Sequence, residues 1–151
     1  GGKTMTDLEK IKSWLLNYPG TERLQSFRVD YLTPDPENGS IRPSGLTELS
    51  RTEDVLGNVI VENQLNFGLY YVLVKEPEDD AGAEANAQWV LGLQQWVQQQ
   101  SIQHLAPTFG DESKSERVTA QNGVLFAADE NGTATYLVQL TVKFTKYYEV
   151  I

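Results

Sequence analysis

The sequence predicts an α+β domain: an antiparallel or mixed sheet of four to five strands with two helices packed on one face, plus a long β-hairpin. Three observations lead to this class. An apolar stripe at helical spacing runs from Trp89 to Val97, a strict alternation runs from Tyr136 to Phe144, and a hairpin pattern occupies Leu46 to Val74. A one-sided helix and a one-sided strand bury their apolar surfaces against each other.

The first element is a helix that begins at Thr6. Thr6 and Glu9 have the spacing of a capping box, in which each side chain satisfies a backbone amide of the first turn. Pro19-Gly20 is expected to end the helix. Its predicted buried stripe is Leu8, Ile11, Leu15 and Tyr18.

A short strand and a surface loop follow. Phe27, Val29 and Tyr31 alternate with Arg28 and Asp30, which is the pattern of a strand. The segment from Thr33 to Pro43 contains three prolines and Asn38-Gly39, so we predict a loop there.

The hairpin is predicted to turn near Gly57-Asn58, and its two arms differ. The returning arm, Val59 to Val74, would span roughly 50 Å at about 3.3 Å per residue, more than an ordinary strand. Either Gly68 marks a bulge, or the distal half projects and pairs with another subunit. The outgoing arm is polar, with Glu48, Ser50, Arg51, Thr52 and Glu53, whereas the returning arm places Val59, Val61, Leu65, Phe67, Leu69, Tyr71 and Leu73 on one face.

The second helix is predicted from Glu84 to Gln100, after an acidic run from Glu76 to Asp80 that suits the helix dipole. A loop through Pro107, a strand from Val118 to Ala127, a turn at Glu130-Asn131-Gly132 and a final strand complete the chain. The helix carries an apolar stripe (Trp89, Val90, Leu93, Trp96, Val97) and a glutamine face (Gln94, Gln95, Gln98, Gln99, Gln100) that is either solvated or in contact with another subunit.

Composition limits the possible functions. The 151 residues fit a single domain, 5–151, after an expected expression scar at 1–4. The absence of cysteine excludes disulfides, thiolate metal sites and cysteine nucleophiles. A net charge of -9 should repel duplex nucleic acid, so we expect no sequence-specific nucleic-acid partner. The longest apolar run, Leu69 to Val74, is too short for a bilayer, so we expect no membrane partner and a soluble, unsecreted protein.

Chemically suggestive residues favour structural roles. The single histidine, His104, lies just beyond a helix end, where a donor to the terminal carbonyls is favoured. Asp79-Asp80 and Asp129-Glu130 lie at a helix start and a turn, without the spacing of a calcium loop. No nucleophile elbow or phosphate-binding glycine motif occurs. We therefore predict no catalytic, cofactor-binding or metal site, no cofactor and no enzyme activity.

The aromatic residues raise a stacking platform as an alternative to core packing. Trp14, Trp89 and Trp96 have helical spacing, which favours a core role. Tyr147 and Tyr148 are adjacent on a strand and face opposite ways, so one of them should leave the core and mark a contact surface.

The order of these elements resembles the minor capsid or tail-completion proteins of Gram-positive tailed phages and prophages, which are similar in fold to phage tail terminators. The resemblance rests on the helix from Leu8 to Pro19, the strand around Phe67 to Val74, Asn86 to Gln99 with Trp96, the Pro107 loop, and the closing hairpin from Gly123 to Tyr148. It implies a homo-oligomeric ring, often a hexamer, at the end of the tail tube or at the head-tail joint. It carries over no functional residue.

We therefore expect a non-enzymatic virion structural protein of a phage or prophage, assembled in the cytoplasm of the bacterial host. Its expected partners are further copies of itself and the phage tail-tube or connector proteins. The alternative is a cytosolic small-ligand or regulatory binding module with a pocket between helices and sheet. An enzyme is the third possibility.

Overall fold

The computed structural model describes residues 5–30, 32, 35–75, 78–112, 114, 116–128 and 132–150. Five strands form one mixed sheet in the order β1-β2-β3-β5-β4, which confirms the predicted α+β class. The elements are α1 (Asp7–Leu15), a 3-10 helix (Pro19–Arg23), β1 (Ser26–Val29), β2 (Asn38–Glu53), β3 (Val59–Val74), α2 (Asp80–Ile102), β4 (Arg117–Ala128) and β5 (Thr133–Tyr148).

The centre of the sheet is the antiparallel pair β3 and β5. Their register runs without a shift from Val59 opposite Tyr148 to Val74 opposite Thr133. The prediction of a bulge at Gly68 is therefore wrong, because this residue lies in the regular ladder opposite Gln139. The distal half of β3 is also held within its own chain, since β5 is equally long.

β2 begins much earlier than predicted. It pairs in parallel with β1 from Asn38 to Ile41 and antiparallel with β3 over its whole length. The predicted loop is thus wrong from Asn38 onward, while Thr33 and Pro34 lie outside the described residues. A Cβ at Gly39 would lie 2.8 Å from the Phe27 ring, so this glycine serves close packing inside a sheet rather than a turn.

Both helices begin at a side-chain cap. Thr6 Oγ1 accepts a hydrogen bond from the Glu9 amide, as the capping box predicts. Asp79 caps α2 through the Gly82 amide at 3.0 Å, and α2 therefore begins at Asp80, four residues before the prediction. α1 ends at Leu15, and Pro19 opens the 3-10 helix rather than ending α1 directly.

The core lies between the helices and one face of the sheet. The Trp14 and Trp96 rings stack with centroids 5.0 Å apart, which joins α1 to α2. Trp89 meets Tyr71 of β3 at 4.9 Å, and burial raises the pKa of the Tyr71 hydroxyl above its usual value. Within the predicted stripe of α2, Val90, Leu93 and Val97 are buried, whereas Trp89 and Trp96 are partly buried.

We predict that Leu93→Ala lowers the free energy of unfolding by about 2 to 5 kcal/mol, because Leu93 is fully buried and its removal leaves a cavity. Leu91→Ala is the matched control on the same helix, since Leu91 is 46% exposed and should change stability by no more than about 0.5 kcal/mol. Urea denaturation measures both. Equal effects would contradict this assignment of the core face.

Candidate functional site

The first half of one sheet edge is covered by α2, whereas residues 124–128 of β4 are exposed. At the β4 edge, the Gln94 Nε2 donates to the Ala120 carbonyl at 3.1 Å, and the Val118 amide donates to Ser101 Oγ at 3.0 Å. Gly123 packs directly against this helix, where a Cβ would lie 2.7 Å from Val90. The helix side chains thus satisfy backbone groups that would otherwise be free to pair with another strand.

Where β4 has not yet begun, a loop covers the edge of β5. The Asp111 amide donates to the Thr145 carbonyl, and the Asp111 carboxylate accepts from the Tyr147 amide, both at 2.8 Å. A Cβ at Gly110 would collide with the Thr145 carbonyl oxygen, so only glycine allows this approach. The Glu116 carboxylate holds the loop by accepting from the Gly110 amide at 2.7 Å.

The opposite edge is open along most of β2. The short β1 reaches only as far as Ile41, and no other described strand pairs with that side of β2. Asp54 donates its amide to the Asn58 carbonyl. In an antiparallel ladder, hydrogen-bonded pairs alternate with pairs whose backbone groups point away from the partner strand. Counting back from the hydrogen-bonded Asp54, four residues of β2 direct their backbone N–H and C=O groups away from β3: Leu46, Glu48, Arg51 and Glu53.

This free edge, residues 42–53, is exposed and interrupted. β2 shifts register against β3 between Pro43 and Gly45 and again between Glu48 and Ser50. Arg51 and Glu48 form an ion pair at 2.7 Å along the edge. Bulges, a proline and charges on an edge limit indiscriminate strand pairing. The edge is therefore available to a partner strand whose shape fits it.

The tip of the hairpin, residues 54–58, is an ordered turn that presents two apolar side chains to solvent. The Asp54 carboxylate accepts from the Leu56 and Asn58 amides, both at 2.9 Å, and Asn58 accepts from the Val150 amide at 3.1 Å. Val55 is 101% exposed and Leu56 is 79% exposed. Sequence reasoning missed this pair, although apolar residues between Asp54 and Asn58 in a turn were the signal.

The two terminal tyrosines are both exposed. The prediction was that only one of them would leave the core. Tyr147 donates its hydroxyl to Glu112 at 2.7 Å, and this hydrogen bond raises the Tyr147 pKa. Tyr148 lies on the helix side of the distal hairpin and lines a shallow depression there with Leu46 and Val59. Both side chains thus border the hairpin surface.

A groove of about 550 Å³ lies between α2 and the first half of β4. Its walls carry the exposed apolar side chains of Leu91 and Ile102 and the carboxamides of Gln95 and Gln98. Arg117, at the start of β4, lines both this groove and the depression on the open face of the sheet. The glutamine face of α2 is therefore divided, since Gln100 turns inward and accepts from the Trp14 indole N–H at 3.0 Å while Gln95 and Gln98 face the groove.

The residues considered for chemistry lie apart. His104 has φ +57 and closes α2 with its backbone, because its amide donates to Ser101 and the next amide, from Leu105, donates to Gln100. Asp79 is the α2 cap, and Asp129-Glu130 lie outside the described residues. Across the described ranges, no three metal-binding side chains lie close enough together to hold an ion.

Comparison of the sequence with models of known protein families and with curated proteins found no match. No helix in the described part of the chain is long and apolar enough to cross a bilayer.

We predict that the carboxyl of Asp54 titrates below its usual pKa of 3.8. Partial desolvation raises this pKa, but the hydrogen bonds from Asn58, Leu56 and Gly57 together outweigh it and lower the pKa. The stabilisation of the turn is therefore complete above pH 3.8 and is lost as the pH falls through the lower, folded-state value. NMR titration of the Asp54 carboxyl carbon measures this, and a midpoint at or above 3.8 would refute it.

For His104 we predict that replacement by glycine raises the free energy of unfolding by up to about 1 kcal/mol, because glycine adopts a left-handed backbone without strain. His104→Ala keeps that strain and should lie within about 0.5 kcal/mol of the wild type. Thermal denaturation compares the three proteins. A loss of stability in the glycine variant would mean that the imidazole itself contributes.

Proposed function

We propose that this protein is a non-enzymatic structural protein of a phage or prophage virion, acting at the tail end or the head-tail joint by self-association and by docking to tail-tube or connector subunits. The observation that carries the proposal is that the two edges of the sheet differ in how far their backbone groups are covered. Gln94, Ser101 and Asp111 cover the edge of the sheet along the first half of β4 and the adjoining end of β5, whereas residues 124–128 of β4 are exposed. The β2 edge is open over a longer stretch, residues 42–53.

The open edge supports assembly on physical grounds. Exposed backbone donors and acceptors on a strand are a template for pairing with another chain. The edge belongs to a hairpin whose returning strand is anchored over its full length by β5, so a partner would meet a preformed surface. Little ordering entropy would then be lost on binding.

The net charge of the chain makes self-association depend on ionic strength. A net charge of -9 on each copy opposes association of like subunits. Salt screens this repulsion over a Debye length of about 8 to 10 Å at physiological ionic strength. The isolated protein is then expected to associate weakly at low salt and more strongly as salt increases.

The second candidate is a small-ligand binding module, and one observation favours it. The α2–β4 groove, at about 550 Å³, falls within the size range of ligand pockets. Its lining of Leu91 and Ile102 offers some apolar surface beside polar groups. A metabolite screen by thermal shift separates the candidates, because a ligand module gains stability with one class of small molecule.

We predict that Arg51→Pro abolishes function while the fold survives. The Arg51 N–H points away from β3, so proline there removes an outward donor and leaves the internal ladder intact. Arg51→Ala is the matched control, since it removes the same side chain and ion pair but keeps the N–H. Circular dichroism checks folding, and complementation of a gene knockout, scored by electron microscopy of tailed particles, checks function.

Intact particles from the Arg51→Pro variant would refute the role of this edge, and no dependence of any tailed particle on the gene would refute the virion assignment itself. Deleting the hairpin is a poorer test. Residues 59–62 of β3 pair with residues 145–148 of β5, so their removal would strip partners from the central ladder.

A further inference from the structure

We infer that the tip of the hairpin, residues 54–58, of one copy of this chain seats in the α2–β4 groove of a second copy. This inference rests on the proposed self-association and specifies its contact. It joins the most exposed apolar side chains of the described chain to a groove whose composition complements them.

The tip has the properties of a preformed anchor. Two backbone hydrogen bonds hold it, from the Asp54 amide to the Asn58 carbonyl and from the Gly57 amide to the Asp54 carbonyl. Four bonds that involve side chains add to them: the Leu56 and Asn58 amides to the Asp54 carboxylate, the Asn58 carboxamide to Asp54, and the Val150 amide to Asn58. Val55 and Leu56 contact almost nothing within their own chain, at 101% and 79% exposure. A rigid turn with two solvated apolar side chains can bury them against a partner with little loss of conformational entropy.

The groove offers the matching surface. Leu91 and Ile102 are 46% and 70% exposed along its wall and supply apolar contact for the tip. Arg117 lies at the start of β4, where it lines both this groove and the open-face depression, and it forms no ion pair among the described residues. Its long side chain can therefore meet the acidic Glu53 at the base of the tip. The carboxamides of Gln95 and Gln98, which have no hydrogen-bond partner among the described residues, can donate to carbonyls of the turn.

Two other depressions fit the tip less well. The depression on the helix side of the hairpin contains Arg51, but its charge is neutralised by Glu48 at 2.7 Å. The depression on the open face of the sheet, around Gln64 and Lys143, has only polar and charged walls and would not accept apolar side chains. Apolar surface and an unpaired cation occur together only in the α2–β4 groove among these described sites.

The arrangement determines the symmetry. The tip and the groove share no residue, and they belong to opposite edges of the sheet. A contact between two different surfaces is heterologous, so each copy can offer its tip to one neighbour and its groove to another. Such contacts close into a ring when the rotation between neighbours divides a full turn. Exchange of tips into the hairpin depression would instead give a two-fold dimer.

The absence of cysteine makes disulfide trapping a direct test. Leu56→Cys and Ile102→Cys proteins, one carrying a mass tag, are mixed in high salt and oxidised. We expect the mixed dimer to form in preference to either homodimer. Val74→Cys replaces Ile102→Cys in the control, since Val74 is 41% exposed on the opposite face of the sheet. A mixed yield no higher than this control, or a dominant Leu56→Cys homodimer, would overturn the inference.

A charge exchange supplies the second readout. Arg117→Glu, introduced into the Ile102→Cys protein, should slow trapping severalfold, and Glu53→Arg in the Leu56→Cys partner should restore the rate. Failure of restoration, with both variants folded by circular dichroism, would show that Arg117 does not face the tip. Trapping that fails while complementation still depends on the β2 edge would reject this contact and leave the proposed function in place.

Discussion

The pairing of β3 with β5 is the constraint on which the rest of the structure depends. These strands match residue for residue over sixteen positions, from Val59 to Val74 and from Tyr148 to Thr133. An unshifted register preserves the two-residue alternation, so the same face carries the apolar residues along the ladder, with Asn63 and Lys146 as polar exceptions in its distal half. The helices cover the part of that face around Leu69 and Val138. The distal half of the β3–β5 pair extends beyond the helices, and β2 pairs with it to form the hairpin.

The helices do more than bury this face. α2 lies close enough to the sheet margin that Gln94 and Ser101 reach the backbone of β4. Its position is fixed from the other side by aromatic contacts, because Trp96 stacks on Trp14 and Trp89 donates its indole N–H to the Gly20 carbonyl at 3.0 Å. Packing of the core thus closes the first half of the β4 margin and leaves most of the β2 margin open to partners.

The sequence predicted the elements whose burial is one-sided and periodic. The alternation of Tyr136 to Phe144 and the stripe through Leu93 fixed β5 and α2, since each pattern is local. The start of β2 could not be found this way. Asn38-Gly39 has the composition of a turn, and its extended form depends on Phe27 and Tyr71, which are distant in the chain.

The candidate site was only partly visible in the sequence. The polar outgoing arm and the turn at Gly57 were predicted and are confirmed. The covering of the β4 margin was not, because Gln94 belongs to a glutamine run that has the composition of a solvated face. The roles of Gln94 and Ser101 follow from the distance between two elements, which no local pattern contains.

The register shift of β2 between Glu48 and Ser50 has a further consequence for recognition. Outward-directed backbone groups fall at Leu46, Glu48, Arg51 and Glu53, with spacings of two, three and two residues instead of a constant two. A regular strand can match the groups on one side of a shift but not those on both. The uneven spacing therefore favours pairing with a strand that has a matching irregularity. It thereby suppresses open-ended fibres in which copies of the chain stack edge to edge.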